Sequence, residues 1–167
     1  RIRLGPWGEI RRALESGEIQ AIHGMFHSEE RARRVDFSTP HTIIFHSAFA
    51  RRGTPPIESL DDLSGKSLVL MRGDILHDFV LKRRLSDRIH PVDTQAEALR
   101  ELAAGKHDYA LTAKLPGAYW IRALGLDSIR PVGPTFLPFR YCYAVSKGAS
   151  PELLSAFNQG LAILNQT

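Results

Sequence analysis

Apolar and polar positions change period repeatedly along this chain. Trp7, Ile10, Ala13 and Leu14 recur at helical spacing behind Pro6, and Gly17 supplies a helix C-terminus. Residues 19–25 form an apolar run interrupted by Gln20 and His23, which predicts a strand. A polar turn follows, and 31–35 is too short to predict a helix. Residues 42–50 are β-branched and aromatic and predict a second strand, with Pro40 limiting where it begins. Beyond the break at 51–56, a helical turn over 57–63 has Ser59 and Asp61 as candidate caps. Strands at 67–71, 89–92 and 109–112 then alternate with helices at 75–85, 95–104 and 115–124. Ile75, Phe79 and Leu85 are the inward candidates of the first helix, and Thr94 with Glu97 marks the start of the second as a capping box. Strands at 129–132 and 137–146 lead to a last helix capped by Ser150, with Leu153, Leu154, Phe157, Leu161 and Leu164 as its apolar face.

Strands alternating with helices predict an α/β fold with mainly parallel sheets. The Arg51-Arg52-Gly53-Thr54-Pro55-Pro56 break divides it into two lobes, 1–50 plus 137–167 and 51–136. With 167 residues, 43% hydrophobic and 24% charged, the chain has the composition of an ordinary globular protein. Its net charge of +4 is spread over many segments, which argues against a nucleic-acid partner. Cys142 is the only cysteine, so an intrachain disulfide and a cysteine zinc site are both excluded. It sits in an apolar strand and reads as a buried thiol. His23, His27 and His77 are too scattered to predict a metal site, and no catalytic motif stands out.

Several motifs occur in a telling order. They are Trp7, then Leu14-Glu15-Ser16-Gly17-Glu18, then Ser28-Glu29-Glu30-Arg31, then Val35-Asp36-Phe37-Ser38-Thr39-Pro40. Later come Ile57-Glu58-Ser59-Leu60-Asp61-Asp62-Leu63-Ser64-Gly65-Lys66 and Leu102-Ala103-Ala104-Gly105-Lys106-His107-Asp108-Tyr109-Ala110. This order resembles the type 2 periplasmic solute-binding proteins of family 3, the polar amino-acid class. The patterns Gly24-Met25-Phe26-His27-Ser28-Glu29-Glu30-Arg31 and Arg72-Gly73-Asp74-Ile75-Leu76-His77-Asp78 look most like the extracytoplasmic sensor domains fused to histidine kinases or diguanylate cyclases. The resemblance implies a two-lobed clamshell, each lobe a mainly parallel sheet flanked by helices, that closes on a small molecule to signal. It also implies that the family's first strand and helix are missing here. The domain itself is then not an enzyme and needs no cofactor. It is periplasmic or extracytoplasmic, membrane-anchored through the full-length protein, with dimerisation of that receptor left open. The alternatives are a free solute-binding component of an uptake transporter and, below it, a dehydratase on the same fold.

The resemblance also implies site residues. Arg31 stands where relatives grip the ligand carboxylate, which its planar fork suits; the structural alternative is a bond to Glu30, Asp36 or a backbone carbonyl. Trp7, Phe26, His27, Ser28, Arg72, Gly73, Asp74, His77 and Lys114 complete the expected lining. Three positions depart from the amino-acid binders. Phe26 replaces a hydroxyl residue, Asp74 a Ser or Thr, and Ala113-Lys114 an acidic residue that would meet an α-ammonium. A carboxylated or aromatic small molecule is therefore expected rather than a plain amino acid. For Trp7 and Phe26 the competing role is core packing, and for His77 and Asp78 it is capping or a solvated helix face.

Overall fold

The computed structural model describes residues 2, 4–148 and 151–164. It divides the chain into two compact units, Arg1–Ile43 with Phe139–Thr167 and Ile44–Pro138. Two long strands, β2 (Val35–Arg51) and β6 (Ile129–Ser146), each run through both.

In the first unit, α1 (Trp7–Glu15) ends as expected at Gly17, which takes φ +80°. Leu14 from this helix enters a core with Ile22, Met25, Val35 and Ala144, and Trp7 and Ile10 pack on it half-buried. The strand expected at 19–25 is β1 (Ala21–Phe26). A single helical turn, α2 (Glu29–Ala32), forms where none was expected, because the Ser28 hydroxyl accepts from the Arg31 amide. β1 pairs antiparallel with β6, Ala21 opposite Val145 and Phe26 opposite Tyr141, so the expected mainly parallel sheet is corrected in this unit. β1 and β6 are joined through the whole of the second unit rather than by a single crossover helix, so no βαβ unit imposes a parallel pairing on them. α6 (Pro151–Leu164) buries Leu161 and stacks Phe157 on Tyr143 at 4.6 Å. Leu164 is 68% exposed, so the predicted apolar face stops short of it. The expected Ser150 cap lies outside the described residues.

The second unit follows the alternating pattern. Its strands are β3 (Ser67–Met71), β4 (Arg88–Val92) and β5 (Tyr109–Ala113). β3 lies parallel between β4 and β5, and β2 adds antiparallel on the far side of β5, His46 opposite Ala113. Three helices connect them: α3 (Ile75–Arg83), α4 (Gln95–Ala103) and α5 (Lys114–Ala123). Phe49, Val69, Leu99, Leu102, Ala110 and Ile129 form the core. α3 stops before Leu85 because Arg84 turns left-handed at φ 51°. The 3-10 turn Leu60–Leu63 is capped by Ser59 as expected, but Asp62 rather than Asp61 completes the box by accepting from the Ser59 amide. At α4, Thr94 accepts from the Glu97 amide, and the Glu97 carboxylate reaches back to the Asp93 amide.

The strands expected at 129–132 and 137–146 are one strand. Pro131, Pro134 and Pro138 all sit at exposed positions in it, where a missing N–H costs no buried bond. The strand expected at 42–50 likewise extends back to Val35 through the exposed Pro40.

Candidate functional site

The predicted site residues fall into two groups, one in each unit. In the first unit they gather around the end of β1. Arg31 is 2% exposed, and its Nη1 donates to the Phe26 carbonyl at 3.4 Å. Its guanidinium also lies 5.7 Å from the centre of the Trp7 ring. A backbone carbonyl is thus one of its partners, as the structural alternative anticipated. Ser28 is committed to capping α2. Phe26 is buried beside Tyr141 at 4.8 Å and Phe139 at 6.1 Å, a packing role on an aromatic cluster.

His27 stands just past the end of β1, where its amide donates to the Arg140 carbonyl at 2.9 Å. Its ring meets Phe37 at 4.9 Å, and its Nδ1 accepts from Arg140 Nη2 at 3.2 Å. Burial holds its pKa below the ordinary histidine value, the Arg140 charge adds to this, and Glu29 opposes it.

In the second unit the predicted residues sit at the carboxyl ends of parallel strands. This is the end where open α/β sheets bind ligands. Gly73, at φ 69°, turns the chain between β3 and α3, and its amide donates to His77 Nδ1 at 3.2 Å. Asp74 is 4% exposed and caps α3 by accepting from the Ile75 amide at 2.6 Å. Burial pushes the His77 pKa down; Asp78 and Asp74 oppose that and Arg72 supports it. Arg72 is exposed, donating to the Pro91 carbonyl at 2.8 Å and lying 3.6 Å from Asp93. Lys114, exposed, opens α5 directly after β5, the strand beside β3. The arrangement offers two cations, Arg72 and Lys114, and a buried carboxylate already turned to its own helix.

A concavity of about 410 Å³ in this unit, lined by Lys66, Asp108, Tyr109 and Arg51 among others, sits instead at the amino ends of β3 and β5. That is the opposite end from the one at which open α/β sheets bind ligands. Among the described residues, no group of three or more His, Cys, Asp or Glu is placed to hold a metal ion. No helix among them is long and apolar enough to cross a membrane. Cys142 is buried as expected, and burial raises its thiol pKa.

Sequence reasoning missed Tyr141, Phe139, Arg140 and Asn158. Arg140 and Asn158 meet their partners across more than a hundred residues, so no local pattern marks them. Gly24 inside an apolar strand was the available signal for Tyr141, since such a glycine marks a close approach.

The chain is 44% identical to a histidine kinase sensor domain with similarity to periplasmic binding proteins, covering 99% of this chain and 72% of that one with a TM-score of 0.95. It is also similar to an ancestral arginine-binding protein bound to arginine, at 30% identity and a TM-score of 0.89, over 99% of this chain and 74% of that one. Among curated proteins it is 26% identical over 158 residues to the L-cystine-binding protein TcyJ of Escherichia coli (strain K12), covering 93% of this chain. It spans 59% of that relative's length. These likenesses carry the type 2 periplasmic-binding fold, in a family that binds solutes rather than transforming them. With its model matched over residues 1–167, the chain belongs to the bacterial extracellular solute-binding proteins, family 3.

Proposed function

We propose that this chain is the extracytoplasmic, ligand-binding sensor domain of a membrane-anchored signalling protein, and that ligand-driven closure of its two lobes, 1–50 with 137–167 and 51–136, drives a kinase or diguanylate cyclase output. The observation that carries this reading is the likeness along nearly the whole chain to a histidine kinase sensor domain. The ligand is a small molecule bearing a carboxylate, aromatic or not. Support comes from Arg31 and Trp7 beside the β1 turn and from Arg72 and Lys114 at the carboxyl ends of β3 and β5. Ala113 and Lys114 offer no acid for an α-ammonium, which disfavours a plain amino acid.

A thermal-shift panel of small carboxylates, amino acids and aromatic acids tests this. A ligand at a hundred times its dissociation constant stabilises the folded state by about 2.7 kcal/mol. Arg31→Ala is then expected to weaken the best ligand at least about tenfold, the loss typical of a charged hydrogen-bonded pair. If saturating ligand leaves the output of the intact receptor unchanged, the sensor reading is wrong. The second reading, a free component of an uptake transporter, is favoured by the likeness to a cystine-binding protein. It predicts that the intact protein carries no kinase or cyclase domain.

A further inference from the structure

A separate concavity of about 340 Å³ lies wholly within the first unit. Its polar lining includes His27, Arg140 and Asn158, and Phe37, Pro40 and Cys142 supply apolar wall. The two other lining residues are committed internally. Ser38 Oγ donates to the Thr39 carbonyl and accepts from the Tyr143 amide. The Thr39 amide and hydroxyl both donate to Asn158 Oδ1, at 2.8 and 3.3 Å.

These bonds fix the polarity of what remains. Arginine can only donate, so His27 Nδ1 is the acceptor of the 3.2 Å contact with Arg140, and the neutral ring carries its hydrogen on Nε2. Asn158 has its oxygen engaged by Thr39, which leaves its NH2 group as a donor. The lining residues thus carry a guanidinium, an imidazole N–H and an amide NH2 able to donate, with no carboxylate among them. Glu29 is the nearby acid, felt electrostatically by His27. Its volume is at the lower end of small-molecule sites, which run from about 300 Å³.

We infer that this pocket is a second binding site, for the carboxylate of a small organic acid whose apolar body rests on Phe37 and Pro40. The flat guanidinium fork suits a planar carboxylate, and the apolar wall disfavours a free inorganic anion. The site uses none of Arg31, Arg72 or Lys114, so it stands independently of the sensor reading.

The test titrates the whole domain with benzoate, with benzamide as the neutral isostere and inorganic phosphate as a competitor, while 15N resonances of the His27 ring are followed. Benzoate is expected to bind and to raise the His27 pKa, since a neighbouring anion favours the imidazolium. Benzamide, and benzoate on Arg140→Gln, should each bind at least about tenfold more weakly, as loss of a charge-assisted pair implies. Lys114→Ala should leave the His27 response unchanged. The proposal is overturned if benzoate leaves His27 unmoved, if Arg140→Gln binds it as well as the parent, or if benzamide matches it. Displacement of benzoate by equimolar phosphate would overturn the carboxylate assignment.

Discussion

The ring of Tyr141 occupies the space where a β-carbon on Gly24 would stand. Strand β1 therefore needs glycine at this point for a reason of packing, not of dihedral freedom. Gly24→Ala must push aside either the ring or the strand, and overpacking of this kind costs about 1–3 kcal/mol. Urea unfolding measures it, and Tyr141→Ala in the same chain should remove most of the added penalty. An alanine variant as stable as the parent would show that the ring is not held there.

Trp7 and Arg31 should be energetically coupled. A cation held 5.7 Å from an indole centre contributes about 0.5–2 kcal/mol when the site is desolvated. A double-mutant cycle with Trp7→Leu and Arg31→Gln isolates that share from the packing each residue makes alone. Losses that add within about 0.5 kcal/mol would deny the coupling.

His46 predicts an acid-sensitive stability. Its side chain is fully buried, with Nδ1 donating to the Leu137 carbonyl at 3.1 Å, and burial lowers its pKa to about 4. Below pH about 6.5 the unfolded chain binds a proton that the folded one refuses, so stability falls as pH drops towards about 4 and is level below that. The gap corresponds to about 3 kcal/mol for this group. Denaturant titrations between these limits, repeated on His46→Gln, should show the slope flatten in the variant.

Asp74 separates stability from ligand preference. Asparagine caps helices about as well as aspartate, so Asp74→Asn should cost only a few tenths of a kcal/mol. It also removes a negative charge beside the proposed anion-facing end of the sheet. Calorimetry with the best carboxylated ligand should show tighter binding, and weaker binding would place Asp74 among the groups that grip it.

Much of this architecture was legible because its signals are local. The α4 cap, the α1 stop at Gly17 and the alternation of 67–124 each depend on residues a few positions apart. The two ends of β6 were legible as strands but their continuity was not, because prolines look like breaks until their exposed positions are known. The same holds at the site. The short helix that Ser28 caps depends on neighbours alone and still went unread, and the His27–Arg140 pairing is a product of register between β1 and β6. Phe26 and His27 were expected on one wall, yet their partners differ, Tyr141 and Phe139 for Phe26 and Phe37 and Arg140 for His27.

The passage of β2 and β6 through both units has a consequence for synthesis. Residues 44–138 form one unit without interruption, while the other is built from segments on either side of them. A chain leaving the ribosome can thus complete the inner unit while β1 still lacks its partner. Closing the outer unit must wait for contacts such as Ser146 to Ile19, 127 residues apart. Until then the edge of β1 that β6 will cover stays open, the kind of surface that invites misassembly during folding.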